Sequence, residues 1–110
     1  MRSRFNRVKD WTELAVASHY SARRLAKRCN ASLRQLERFF LQVKGQTPHH
    51  WLNDLRQQKA LELLRTGWTP KEVAAHLWYS QVTNFARDFK RCHGVPPAEI
   101  QDALAQNVAF

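Results

Sequence analysis

The chain has 110 residues, with 18 Lys and Arg against 9 Asp and Glu, for a formal net charge of +9. That length suits a single domain or two very small ones sharing a helix, and the charge points to an anionic partner, nucleic acid before a membrane surface. No apolar run approaches the roughly 20 residues that a membrane-crossing helix needs, and the Met1 to Lys9 segment lacks the apolar core of a signal peptide, so no membrane partner is expected.

Chains this short have poor surface-to-volume ratios, and six Phe, four Trp and two Tyr supply large buried areas in compensation. Cys29 and Cys92 sit at unrelated spacings and read as reduced thiols of a cytoplasmic protein. Cys29 reads as a small apolar residue on the inner face of a helix. His19, His49, His50, His76 and His93 show no metal spacing with a carboxylate or thiolate, so neither zinc nor any other cofactor is expected. No cysteine, serine or carboxylate stands in a nucleophile or acid/base arrangement, which sets enzymes aside.

In chain order, Arg2, Arg4, Arg7 and Lys9 make residues 1–9 either a loose basic arm that follows phosphates or an ordinary frayed terminus. Trp11, Leu14, Ala15 and Ala17 predict a first helix over about 10–18, capped by Asp10. Ser21 caps a short helix from Ala22 to Cys29 with Ala22, Leu25, Ala26 and Cys29 inward. Asn30 then supplies the residue that tolerates positive φ in a helix-turn-helix. Ser32 and Gln35 form a capping box for a helix running to about Lys44, where Gly45 stops it. Its expected inner face is Leu36, Phe39, Phe40 and Val43, and its outer stripe Arg34, Glu37, Arg38 and Leu41.

Thr47 and Pro48 open a long helix that Gly67 ends. Trp51, Leu52, Leu55, Ala60, Leu63 and Leu64 are expected on its apolar face, with Asn53, Asp54, Gln57, Gln58 and Glu62 largely opposite. Thr69 to Glu72 is a second capping box with Pro70 at the first helical position, for a helix to about Leu77. Ser80 or Gln81 starts the next, to about Cys92. Phe85 and Phe89 face inward, Ala86 or Val82 lies near the boundary, and Thr83, Arg87 and Lys90 or Arg91 face outward. Gly94 ends it, and Pro96-Pro97 begins a last helix from Ala98 to about Gln106. No segment alternates as a half-buried strand does, so the chain reads as all-α.

The two halves also match each other. Leu25-Ala26 aligns with Val73-Ala74, Cys29 with Leu77 and Ser32 with Ser80, after which one extra residue shifts the register. Leu36 then meets Phe85, Arg38 meets Arg87, Phe40 meets Phe89, Gly45 meets Gly94, Pro48 meets Pro97 and Trp51 meets Ile100. Two repeats offset by about 49 residues flank the long helix.

These positions, together with Leu52, Arg56, Ala60, Leu63-Leu64 and the string VAAHLWYSQVTNFARDFKRCHGVPP, resemble the DNA-binding domain of the AraC/XylS family of bacterial transcription regulators, over roughly residues 11–101. The resemblance implies seven helices forming two helix-turn-helix units joined by a long connecting helix. Residues 1–9 are then an arm, 10–46 the first unit, 47–67 the connecting helix and 68–106 the second unit with the C-terminal helix. Both recognition helices are expected in successive major-groove segments of double-stranded DNA. A connecting helix of roughly 18 residues is about 27 Å long against roughly 34 Å for one duplex turn, the flanking helices adding the rest.

Carried over by position, base contacts fall to Arg34, Glu37 and Arg38 in the first unit and to Val82, Thr83 and Arg87 in the second. Arg38 and Arg87 hold matching repeat positions, so one of them can instead serve a phosphate. The plain alternative for Glu37 is an in-helix pair with Arg34. Trp78 stands where the family has a turn glycine, and a distorted turn is expected there. Ile100-Gln101 replaces the family's Tyr-Arg. The chain is also too short for a separate effector or dimerisation domain, so it is a stand-alone regulator or a fragment. The expected state is a monomer, with RNA polymerase a candidate protein partner. The alternative reading is an interaction module of the same fold that has lost specific DNA reading.

Overall fold

The computed structural model describes Phe5 and residues 10–100; the expected basic arm apart from Phe5, and the part of the expected last helix beyond residue 100, lie outside the described residues. Six complete helices are described: α1 Trp11–Ala17, α2 Ala22–Arg28, α3 Leu33–Lys44, α4 Pro48–Arg65, α5 Pro70–His76 and α6 Val82–His93. The first turn of α7 follows at 97–100. Among the described residues there is no strand, and no helix is long and apolar enough to cross a membrane.

Local chemistry sets the boundaries. Asp10, Ser21, Ser32 and Thr69 each accept a hydrogen bond from the backbone N–H three residues on, satisfying a donor that the helix start leaves unpaired. Ser32 with Gln35 and Thr69 with Glu72 complete reciprocal boxes. The bonds from the Thr69 backbone and side chain hold the Glu72 carboxyl below its usual range.

Helix ends follow one rule. After α2, Asn30 takes φ 57° and the Ala31 N–H reaches the Ala26 carbonyl at 3.0 Å. After α5, Trp78 takes φ 67° and the Tyr79 N–H reaches the Ala74 carbonyl at 2.9 Å. The same left-handed turn therefore closes both helices, and the distortion expected at Trp78 is absent.

Contacts divide the chain into two units, Met1–Leu55 and Arg56–Phe110. In the first, Phe5, Ala15, Leu25, Ala26, Leu36, Phe40 and Leu52 are buried. Trp11 joins their aromatic centre, edge-on to Phe40 at 5.2 Å and to Trp51 at 6.5 Å. Burial pushes the Cys29 thiol up, as suits a core-facing thiol. In the second unit Ala60, Leu63, Leu64, Val73, Ala74, Leu77, Phe85 and Phe89 are buried.

Two expectations about faces are corrected. Val43 is 63% exposed, because α3 has 12 residues against the 7 of α2 and its last turn outruns that neighbour. Gln57 is fully buried, because its amide has a partner inside the second unit, described below.

Candidate nucleic-acid interface

In the first unit α3 turns Leu36 and Phe40 fully inward, one helical turn apart. The opposite side carries Arg34 and Arg38, both exposed, and Leu41, 54% exposed. Neither arginine has an ion pair or hydrogen bond among the described residues. Two guanidinium groups at i, i+4 repel each other mildly, a repulsion that an anion between them would relieve. Glu37 is half-buried and makes no pair with Arg34. It lines a hollow of about 440 Å³ with Tyr20, Arg23, Leu33 and His49.

α2 adds Arg23, Arg24, Lys27 and Arg28, all exposed, to the cationic surface of this unit. Arg24 Nη1 lies 3.0 Å from His19 Nδ1. A guanidinium can only donate, so that imidazole nitrogen accepts and the ring is neutral in this geometry. Partial burial, Arg24 and Arg28 all pull His19 below the usual imidazole range. Together with Ala17, these groups line a shallow basic hollow of about 320 Å³.

In the second unit α6 turns Phe85 and Phe89 fully inward and leaves Val82, Thr83 and Arg87 exposed. Its N-cap is Gln81, not Ser80, so the extra residue of the second repeat falls in the turn. Gln81 makes no capping bond. Its Oε1 instead accepts from the Thr83 hydroxyl at 3.4 Å, while Arg87 Nη2 donates to Asn84 Oδ1 at 3.1 Å. Thus the six expected residues divide into two groups of three, one on each helix.

Periodicity missed a further set. Tyr79 follows the α5 turn; its hydroxyl accepts from Gln57 Nε2 at 2.8 Å and donates to Asp88 Oδ2 at 3.1 Å. The Arg56 guanidinium lies 3.6 Å from the Tyr79 ring centroid, and its Nε and Nη2 both donate to the Leu77 carbonyl, at 2.9 and 2.6 Å. Gln57 had a legible signal, since it precedes the buried Ala60 and Leu64 by three and seven residues. Its polarity hid it.

A family model for a helix-turn-helix domain matches residues 25–103. The chain is 33% identical over 100 residues to the HTH-type transcriptional activator RhaS of Escherichia coli O157:H7, a match covering 90% of this chain and 36% of that protein. Among solved structures, an AraC-type DNA-binding domain-containing regulator from Chromobacterium violaceum is 26% identical with TM-score 0.70, over 86% of this chain and 88% of that one. The chain belongs to the AraC/XylS-type helix-turn-helix family. A further solved structure, the DNA-binding domain of the global transcriptional factor AdpA in complex with a target DNA, is 26% identical with TM-score 0.74, over 86% of this chain and 92% of that one. The AraC/XylS relatives are DNA-binding regulators rather than enzymes. The chain spans 36% of the length of RhaS, so the match concerns a part of that activator and not the activator as a whole.

Proposed function

We propose that this domain is a sequence-specific regulator of transcription that binds double-stranded DNA in the bacterial cytoplasm, with α3 and α6 as its two recognition helices in adjacent major-groove segments. The observation that carries this reading is the pair of exposed stripes. Arg34 and Arg38, without partners among the described residues, lie opposite the buried Leu36 and Phe40, and Val82, Thr83 and Arg87 lie opposite the buried Phe85 and Phe89. Arg34 or Arg38 forks onto guanine O6 and N7, and Glu37 accepts from cytosine N4. Val82 and the Thr83 methyl touch a thymine methyl, and Arg87 takes a base or a phosphate. The domain acts as a monomer of this chain, and RNA polymerase is its protein partner during transcription.

Selection of oligonucleotides from a random pool tests the reading. The expected result is an enriched motif with two halves at groove spacing. Arg34→Ala then relaxes preference at one position of one half, at a cost of about 1–3 kcal/mol. Uniform weakening on every sequence makes Arg34 a phosphate contact instead. A second reading, docking to a protein partner, draws on Trp78 at 54% and Val82 at 40% exposed, close together in sequence at the start of α6. A pool that enriches nothing favours it.

A further inference from the structure

α3 and α6 are held differently at their starts. α3 has a reciprocal capping box, whereas α6 has no side-chain cap bond and follows a turn one residue longer. Without a side-chain cap, its direction depends on the packing of Phe85 and Phe89 and on polar bonds made further along the helix.

Within the second unit two polar links tie α6 to α4: at the end of α6, His93 Nε2 lies 3.2 Å from the Gln57 backbone carbonyl, and nearer its start a chain runs through Tyr79. Gln57 on α4 donates to the Tyr79 hydroxyl at 2.8 Å, and the hydroxyl donates to Asp88 on α6 at 3.1 Å. Gln57 is fully buried, and a hydrogen bond in such surroundings is stronger and more directional than one in water. The second bond ends on a carboxylate, which strengthens it further. Beneath the chain, Arg56 ties the Leu77 carbonyl and covers the Tyr79 ring, so the phenol cannot swing away. A ring needed only for packing would be served by Phe.

We propose that Tyr79 is the positioning residue of the second recognition helix, its hydroxyl clamped between Gln57 and Asp88 so that α6 offers Val82, Thr83 and Arg87 in one fixed direction. The inference rests on α6 being a base-reading helix. Val82 precedes Asp88 by six residues, about 9 Å along the axis, so a tilt of about 10° about the clamp moves it by about 1.5 Å. A displacement of that size opens the apolar contact of Val82 with a thymine methyl, since a gap of about 0.5–1 Å already forfeits a quarter to a half of such an attraction.

The experiment compares the full chain with Tyr79→Phe, which keeps the ring beside Arg56, with Asp88→Leu, which removes the acceptor, and with Asp88→Asn, which retains one. Random-pool selection reads base preference at each half-site, and amide hydrogen exchange of the free protein reads α6 directly. Thr83→Ala identifies the half-site that α6 serves. Tyr79→Phe and Asp88→Leu are expected to lower discrimination at that half-site about tenfold, while Asp88→Asn holds it within about twofold. The other half-site keeps its preferences, and exchange quickens in α6 but not in α3. Unchanged preferences and exchange in Tyr79→Phe overturn the proposal. Equal losses at both half-sites also overturn it, since Tyr79 is then an ordinary core residue. If the parent chain enriches no motif, the DNA-reading assignment fails, and the α6 exchange rates of Tyr79→Phe decide the clamp alone: faster supports it, equal overturns it.

Discussion

Left-handed backbone costs an L-residue with a Cβ about 1–2 kcal/mol, and Trp78 adopts it at φ 67°. The first turn places Asn30 there, a residue whose short polar side chain suits that region. Trp78→Gly is therefore expected to be more stable than Trp78→Ala by about 1 kcal/mol, both lacking the indole, the reverse of the ordinary ranking in a helix. Denaturant midpoints of the two variants check this. Tyr79 makes a second residue-level prediction. Burial, with Asp88 adding to it and Arg56 opposing, pushes its phenol up to about 12. A raised folded value favours the neutral phenol, so its contribution to stability is complete below about pH 10 and is lost as the pH rises toward 12. Stability of the parent chain should fall over that window, and Tyr79→Phe should remove this part of the fall. Absorbance titration of the phenol together with unfolding curves measures it.

Among the elements, α3 and α6 are equal in length yet unequal in support. Ser32→Ala removes a capping bond and should cost about 1 kcal/mol, whereas Gln81→Ala, at an N-cap without one, should stay within about 0.5 kcal/mol. Thermal or denaturant unfolding of the pair reads the difference. The connecting helix shows where pattern reading stops. Leu52, Ala60, Leu63 and Leu64 are buried as their spacing requires, but Gln57 lies buried among them rather than on the polar side. Nothing within one turn of Gln57 announces the tyrosine hydroxyl that accepts its amide proton. Val43 errs in the opposite sense: its period is right for the inner face, and the neighbouring helix is too short to cover it.

For the whole molecule, the net charge of +9 makes electrostatics the chief source of affinity for a polyanion. Log K for duplex DNA is expected to fall linearly with log salt, by about 0.9 for each phosphate neutralised. Titrations at several ionic strengths test it, and a flat response is incompatible with phosphate contacts. By itself the sequence determined the all-α class, the duplicated halves, the side-chain caps and the outward arginines, because caps and helical period depend on residues within about four positions of one another. Only the tertiary structure decided that Gln57 is inside and that Tyr79 joins α4 to α6. Those partners are 22 and 9 residues apart, and their pairing arises only after folding has brought the helices of that unit together.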